Sequence, residues 1–291
     1  MTSKLSLGGV TFGREIDASA AHALLNYAVA KDIRFWDTAA VYGNGASEQI
    51  IGSWLAMNKM PATQITVATK IPPPYTAISV TTAVHHSLQR LQKETLDLLF
   101  LHNWHESLLQ ENGIMQLNAL LDAGLIKAIG VSNFNEHQLE AVLKLGLRVS
   151  CIQNNHNLAV SDLTKGLIDR CRAEQIAIIT YSPLGAGFLT GKHLSGVVDG
   201  SRFDLMPAHQ EIYFTAGARE RLRVLLKVAE KSGDTPALLA LAWALHQPFV
   251  STVLIGVREK RHIDQAIAAL HFNGAVLQEL DQLLISPENK N

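Results

Sequence analysis

Three apolar segments in the first third of the chain are each followed by a titratable residue: Asp37, Lys70 and His102. Tyr42 lies five positions after Asp37. A phenol has an ordinary pKa of about 10, so it donates a proton well only where its phenolate is stabilised. A nearby ammonium group supplies that stabilisation, because an opposite charge lowers the pKa of the phenol. These four residue types therefore suit the transfer of a proton to oxygen.

Reduction of a carbonyl group requires a hydride at carbon and a proton at oxygen. The four residues could provide the proton. We expect Tyr42 to be the proton donor and Lys70 to lower its pKa. Asp37 would hold Lys70 charged and oriented. His102 would hydrogen-bond the substrate oxygen and place it near Tyr42.

Eight short apolar runs could position these side chains. They do not alternate polar with apolar residues, which is typical of parallel strands buried on both faces. The predicted strands are 5–9, 33–36, 65–69, 96–101, 126–131, 150–153, 177–180 and 252–255. Amphipathic helical patterns separate or follow them at 19–31, 47–58, 77–92, 112–123, 136–145, 162–173, 218–232, 237–246 and 260–270. This alternation predicts an α/β protein with one (β/α)8 TIM barrel that spans residues 1–291 as a single domain.

The barrel prediction places the four residues together. In a (β/α)8 barrel the catalytic groups come from the C-terminal ends of the strands, and successive strands are neighbours. The stretch 185–217 follows the seventh strand and is longer than an ordinary connection, so we expect a substrate or cofactor loop there. An open sheet with a Rossmann site is disfavoured, because neither glycine cluster of the chain has the Gly-x-Gly-x-x-Gly spacing.

Bulk composition excludes several classes of protein. Lys plus Arg total 25 against 26 Asp plus Glu, so no overall positive charge favours binding of nucleic acid or a membrane. Two cysteines are too few for a secreted disulfide scaffold, and no apolar run is long enough for a transmembrane helix. We therefore expect a cytoplasmic protein. His102 and His105 lack a third ligand at a suitable spacing, so no metal is expected.

Short motifs extend over nearly the whole chain. They are Thr11-Phe12-Gly13, Trp36-Asp37-Thr38-Ala39, Tyr42-Gly43-Asn44-Gly45 with Ser47-Glu48, Ala68-Thr69-Lys70, Leu101-His102, Ile129-Gly130-Val131-Ser132-Asn133-Phe134, Gln153-Asn154 and Tyr181-Ser182-Pro183-Leu184-Gly185. In composition and order, these motifs resemble the aldo-keto reductase family. The resemblance implies that Asp37, Tyr42, Lys70 and His102 form the catalytic tetrad, with Tyr42 as the general acid.

The resemblance also implies a nicotinamide cofactor. Ser132, Asn133 and Gln153 match residues that hold the carboxamide, and Tyr181 matches an aromatic residue that stacks on the nicotinamide ring. Ser182 and Leu184 match a loop that contacts the pyrophosphate. For the substrate pocket, Trp104 is a candidate wall because it follows His102 on the same loop, and Tyr75 and Phe188 are further candidates.

The adenosine end of the expected cofactor site departs from the family pattern. Gly256 and Arg258 follow the last strand, and Arg258 stands where a basic residue should meet the 2′-phosphate of NADP. Asp264 replaces a usual arginine and would repel that phosphate, and Ala266 replaces the usual adenine-binding asparagine. We favour NADP(H), with NAD(H) or dual use as the alternative.

These observations predict an NAD(P)H-dependent reductase of an aldehyde or ketone. One alternative is an NAD(P)⁺-dependent sugar or alcohol dehydrogenase that uses the same site. A cofactor-sensing regulatory subunit is a third hypothesis, because some barrels that resemble this family act on channels. The partner is in any case a small carbonyl compound or alcohol. The sequence leaves the physiological substrate and the oligomeric state open.

Overall fold

The computed structural model describes residues 4–59, 64–272 and 274–285. Both ends of the predicted domain, 1–3 and 286–291, lie outside these ranges. Eight parallel strands pair in chain order and close into a barrel, because the last strand pairs with the first. The strands are β1 (Leu5–Gly8), β2 (Phe35–Asp37), β3 (Thr66–Ile71), β4 (Leu98–Leu101), β5 (Ile129–Ser132), β6 (Val149–Asn155), β7 (Ala177–Tyr181) and β8 (Thr252–Gly256). The prediction of a single-domain (β/α)8 TIM barrel is confirmed.

The barrel interior is filled by side chains and is not a channel. One cluster of buried residues includes Phe35, Phe100 and Ile179, which come from three different strands. Gly130 is needed at the centre of this packing. A Cβ atom at that position would come within 2.4 Å of the Phe100 ring and 2.8 Å of the Cys151 sulfur, and real atoms do not approach so closely.

Helices surround the barrel and pack on the outer face of its strands. All nine predicted helices are present, and the described residues form three further helices that were not predicted. The helices are α1 (Ala18–Ala30), α2 (Ala46–Asn58), α3 (Ala77–Leu91), α4 (Glu111–Asp122), α5 (Glu136–Lys144), α6 (Lys165–Ala173), α7 (Arg202–Leu205), α8 (His209–Tyr213), α9 (Ala216–Ser232), α10 (Pro236–Leu245), α11 (Lys260–Leu270) and α12 (Gly274–Ile285). In the described ranges, no helix combines the length and the apolar character that crossing a membrane requires.

Local capping explains several helix starts. The side chain of Asn135 accepts a hydrogen bond from the backbone N–H of Gln138, and the side chain of Gln138 accepts one from the backbone N–H of Asn135. Helix α5 therefore begins with a capping box. Helix α6 begins three residues later than predicted, because Thr164 is its N-cap and accepts from the N–H of Leu167.

The long connection after β7 has a core of its own. It contains a short 3-10 turn at Gly185–Thr190, followed by α7 and α8. Phe188, Phe203 and Tyr213 are buried within it and stack on one another and on Phe214. This aromatic packing holds the segment in a defined position at the C-terminal end of the barrel.

Candidate active site

The strand register places the predicted tetrad at one end of the barrel. Asp37 is the last residue of β2, and Lys70 lies in β3, which pairs with β2. His102 follows β4 directly, and Tyr42 begins a 3-10 turn after β2. The structure therefore brings all four residues together on three neighbouring strands.

Lys70 and Asp37 form a buried ion pair. The Nζ of Lys70 donates to Oδ2 of Asp37 at 2.5 Å and to the backbone carbonyl of Thr38 at 2.9 Å. The other carboxylate oxygen of Asp37 accepts from Nε2 of Gln153 at 2.9 Å. Burial is the largest single effect on the pKa of Lys70 and lowers it, but the charges of Asp37 and Tyr42 and their hydrogen bonds together outweigh burial, so this pKa is raised. Lys70 therefore remains an ammonium group at neutral pH.

Tyr42 lies against both Lys70 and His102. The Nζ of Lys70 is 5.0 Å from the centroid of the Tyr42 ring, and the ring of His102 is 5.8 Å away and nearly perpendicular to it. Burial raises the pKa of Tyr42 and the charge of Lys70 offsets only part of this effect. The charge of Lys70 lowers the pKa of Tyr42, as expected, but burial raises it by more. The net shift of this pKa is therefore upward, and the expectation of a lowered pKa was wrong.

His102 is a neutral imidazole at pH 7. Burial, and then the charge of Lys70, lower its pKa to about 4. A neutral ring can donate one hydrogen bond and accept another, which suits contact with a substrate oxygen. Its backbone carbonyl accepts from Nδ2 of Asn133 at 2.9 Å, so the loop that carries His102 is tied to the end of the next strand.

The residues predicted to hold a nicotinamide form one network beside the tetrad. The hydroxyl of Tyr181 donates to Oδ1 of Asn133 at 2.7 Å, and the hydroxyl of Ser132 donates to the backbone carbonyl of Gln153 at 2.9 Å. Because Gln153 also donates to Asp37, this network is continuous with the Lys70 ion pair.

This group of side chains fits an amide ligand such as a nicotinamide carboxamide. A hydroxyl and two amides offer donors and acceptors of the matching kind, and an aromatic ring lies next to them. Asn133 and Ser182 adopt left-handed backbone conformations, with φ angles of 60° and 56°. Such conformations are uncommon outside glycine and cluster at ligand sites.

The residues predicted for the phosphates lie on two loops at the same end of the barrel. The carbonyl of Ser182 accepts from Nδ2 of Asn157 at 2.9 Å, and Leu184, half-buried, precedes the 3-10 turn of the long connection. Gly256 ends β8 and is exposed. A guanidinium nitrogen of Arg258 lies 3.6 Å from Oε1 of Glu15.

Asp264 is paired with residues at the end of the first helix. Its Oδ1 accepts from the hydroxyl of Tyr27 in α1 at 2.7 Å and lies 3.5 Å from Nζ of Lys31, the C-cap of α1. The repulsion of a phosphate that the sequence suggested is therefore reduced, because Lys31 balances the carboxylate.

Of the three predicted pocket walls, only Trp104 is accessible. It is half-buried and packs edge-to-face on Phe134, with ring centroids 5.4 Å apart. Tyr75 is fully buried and donates to the backbone carbonyl of Asn103 at 2.8 Å. Phe188 is 2% exposed and packs in the aromatic core of the long connection. Contrary to the prediction, Tyr75 and Phe188 are interior residues in the structure, although Tyr75 also borders a cavity that it shares with Ser107 and Gly113.

A buried carboxylate that the sequence analysis left without a role connects three elements behind the tetrad. Glu48 of α2 is fully buried, accepts from the hydroxyl of Thr69 and pairs with Arg90 of α3, whose Nε lies 2.6 Å away. Thr69 precedes Lys70 in β3, and the turn that begins at Tyr42 leads into α2. The sequence signals were its place in the Ser47-Glu48 motif and an acidic residue in the first turn of a predicted helix, and neither indicates a buried ion pair.

We expect Glu48→Ala to lower the free energy of unfolding by about 3 kcal/mol, because it leaves Arg90 largely buried without its counter-ion. Urea unfolding followed by tryptophan fluorescence measures this change. Glu140→Ala is the control, since Glu140 is a partly exposed glutamate that pairs with Lys144 and Arg170 at the surface, and its loss should change stability by less than about 1 kcal/mol. Equal stability of the two variants would contradict the structural role of Glu48.

Within the described ranges, no three His, Cys, Asp or Glu side chains are grouped as metal ligands. His105, one of the candidates considered from sequence, instead bonds Ser107 through its Nδ1 at 2.9 Å.

Comparison with known proteins identifies the family. Residues 4–285 match the model of the aldo/keto reductase family. The chain is similar to the protein tas of Escherichia coli (strain K12), at 29% identity over 92% of the chain and 90% of the relative. It is also similar to a putative voltage-gated potassium channel subunit beta of Schizosaccharomyces pombe, at 27% identity over 97% of the chain and 90% of the relative.

A solved structure, the glycerol dehydrogenase of Gluconobacter oxydans, has the same fold. The two superpose with a TM-score of 0.81 at 23% identity, and the match covers 98% of this chain and 94% of the other. The barrel, the motifs and the family match agree over nearly the full length. The chain belongs to the aldo/keto reductase family, whose members carry out nicotinamide-dependent oxidoreduction of carbonyl compounds.

Proposed function

We propose that this protein is an NADPH-dependent reductase that converts an aldehyde or ketone to an alcohol, with Tyr42 as the proton donor. The observation that carries the proposal is the buried Lys70–Asp37 ion pair beside Tyr42 and a neutral His102. A buried ion pair is costly to maintain. Because this ion pair lies next to the half-buried Tyr42, it keeps a positive charge near the phenol, and this is the chemical role that we assign to the pair.

In this proposal the carbonyl oxygen binds between Tyr42 and His102. Tyr42 donates its hydroxyl proton to that oxygen as the carbonyl is reduced. Lys70 stays protonated throughout, and its charge stabilises the phenolate that forms when the proton leaves. Asp37 fixes Lys70 in place. The cofactor, when bound, supplies the hydride.

The same geometry orients the cofactor. Asn133 and Gln153 would hold the carboxamide, Ser132 would add a hydroxyl contact, and the ring of Tyr181 would pack on the nicotinamide. Hydrogen bonds to neighbouring groups restrict all four side chains. Restricted side chains lose little entropy when a ligand binds, which supports a preformed nicotinamide site.

Preference for NADP(H) rests on charge at the adenosine end. Arg258 is 40% exposed, and a guanidinium suits recognition of a phosphate. Lys31 and Tyr27 engage the carboxylate of Asp264. The positive charge of Arg258 is therefore available to a 2′-phosphate, and NAD(H), which lacks this phosphate, would gain nothing from it.

Arg258→Met should weaken binding of NADPH by roughly ten- to hundredfold, since a hydrogen bond to a charged group contributes about 1.5–3 kcal/mol. Binding of NADH should change little. Quenching of tryptophan fluorescence on titration measures both dissociation constants. Arg261→Met is the matched control, because Arg261 is exposed and pairs with Glu259. Equal losses for NADPH and NADH would contradict the proposed role of Arg258.

A regulatory function is the second candidate, because one relative is described as a putative channel subunit beta. In that function the protein would report the redox state of a bound cofactor.

Dehydrogenation of an alcohol is the reverse of the proposed reaction and uses the same residues, with the phenolate of Tyr42 accepting the proton. Turnover by the wild-type protein, absent in a tetrad variant, would separate catalysis from sensing alone.

A further inference from the structure

An almost buried carboxylate lies among three arginine side chains beside the proposed site. Glu15 belongs to the loop between β1 and α1, and its side chain is only 10% exposed. Arg14 is its neighbour in sequence, whereas Arg202 comes from α7 of the long connection and Arg258 from the loop after β8. The cluster therefore joins three separate loops at the C-terminal end of the barrel.

The three arginines contact Glu15 differently. Arg14 binds both carboxylate oxygens, with Nε at 2.7 Å from Oε2 and Nη2 on Oε1. Arg202 and Arg258 each lie 3.6 Å from Oε1, which is close enough for an ion pair and too far for a hydrogen bond. Neither of these two guanidinium groups makes a hydrogen bond to any residue in 4–59, 64–272 or 274–285.

The cluster carries more positive than negative charge, because one carboxylate faces three guanidinium groups. Arg202 shows the effect: burial, and then the charges of Arg14 and Arg258, lower its pKa, while Glu15 and Tyr42 oppose this. His209 also faces Arg202 and Arg14, and burial followed by their charges lowers its pKa. Among the described residues, Glu15 is the one carboxylate within ion-pair distance of these three arginines, so it is the counter-ion of the cluster.

We propose that Glu15 is a specificity-determining residue, an internal anion that competes with the 2′-phosphate of NADP for Arg258 and Arg202. The inference rests on the proposed binding of that phosphate by Arg258. In the free protein, the carboxylate holds the two arginines near each other despite their repulsion. In the complex, a phosphate at Arg258 meets the negative charge of Glu15, and this repulsion limits the preference for NADP(H) over NAD(H).

Removing the charge of Glu15 should therefore increase selectivity. Glu15→Gln keeps the shape of the side chain and can still accept a hydrogen bond from Arg14, while it leaves the positive potential of the cluster uncompensated. We expect the dissociation constant of NADPH to fall about tenfold, since like charges this close in a partly desolvated site interact strongly. NADH lacks the 2′-phosphate, so its dissociation constant should change much less.

The experiment measures dissociation constants of NADPH and NADH for the wild type, Glu15→Gln and Glu259→Gln by tryptophan fluorescence, with calorimetry as an independent readout. Glu259 is the matched control, because it is an exposed glutamate next to Arg258 that pairs with Arg261 instead. A higher ratio of NADPH to NADH affinity in Glu15→Gln, with no change in Glu259→Gln, supports the assignment. Added salt should shrink the difference.

Two results would overturn the assignment, and they are distinguishable. If the wild type prefers NADPH and Glu15→Gln leaves the ratio unchanged or lowers it, Glu15 does not compete with the phosphate and the proposed function stands. If neither the wild type nor Glu15→Gln binds NADPH more tightly than NADH, or if neither protein binds a dinucleotide, Arg258 does not bind a 2′-phosphate and the proposed cofactor preference fails as well. Competition by adenosine 2′-monophosphate against adenosine 5′-monophosphate isolates the phosphate contact from the nicotinamide end.

Discussion

Replacing Tyr42 with phenylalanine should lower kcat for reduction of a reactive aldehyde by about 10²–10⁴-fold, the usual contribution of general acid catalysis. The substitution removes only the hydroxyl group, so the ring should still pack against Lys70 and His102. Binding of NADPH should be unchanged, because no predicted cofactor contact involves this hydroxyl. Oxidation of NADPH in the presence of 4-nitrobenzaldehyde, followed by absorbance, measures the effect.

Tyr27→Phe provides the matched control for this experiment. It removes a tyrosine hydroxyl on α1 that bonds Asp264, away from the tetrad, so kcat should stay at the wild-type value. If Tyr42→Phe turned over as fast as the wild type, Tyr42 would not be the proton donor, whatever the affinity for cofactor.

Lys70→Met should abolish detectable reduction and also lower the free energy of unfolding by about 3–5 kcal/mol. Both effects have one cause, the loss of the buried ammonium group. Without it, the phenolate of Tyr42 has no stabilising charge, and Asp37 remains buried with Gln153 as its remaining side-chain partner. Urea unfolding and steady-state kinetics measure the two effects.

A double variant separates the two consequences of this substitution. Adding Asp37→Asn to Lys70→Met removes the uncompensated buried charge, so stability should recover in part while reduction stays absent. Recovery of activity together with stability would show that Lys70 acts only through folding, and the electrostatic role assigned to it would be lost.

Sequence pattern was sufficient for the barrel because parallel strands buried on both faces produce unbroken apolar runs. All eight runs became strands, and the tetrad residues occupied the strand ends as expected. The prediction of a barrel was also sufficient to place Asp37 beside β3, because successive strands of such a barrel are neighbours. The capping box of α5 likewise depends on local side-chain chemistry alone, since Asn135 is followed three positions later by Gln138.

The remaining features depend on which surfaces meet in space, and a single sequence carries little signal for that. Tyr75 and Phe188 were expected at the pocket, but aromatic residues pack equally well in a core, and both are buried. Helices α7 and α8 are too short to show a periodic pattern. The pKa of Tyr42 rises because the depth of burial outweighs Lys70, a balance that spacing cannot reveal.

Charge pairs between segments that are distant in sequence could likewise not be predicted from the sequence. Asp264 looked unfavourable for NADP until its contact with Lys31 and Tyr27 was known. Glu15 and Arg202 are nearly two hundred positions apart in sequence, and only the fold places them side by side. These contacts change the expected cofactor preference more than any local motif does.

Transfer of an isotope from cofactor to product tests the central claim most directly. Wild-type protein would reduce 4-nitrobenzaldehyde with NADPH deuterated at the transferable position, in ordinary water, and mass spectrometry would locate the label. We predict one deuterium at the carbinol carbon for each cofactor oxidised, with the hydroxyl hydrogen derived from solvent through Tyr42. Cofactor oxidation without labelled alcohol, or no oxidation with a range of aldehydes and ketones although NADPH binds, would contradict the assignment of a carbonyl reductase.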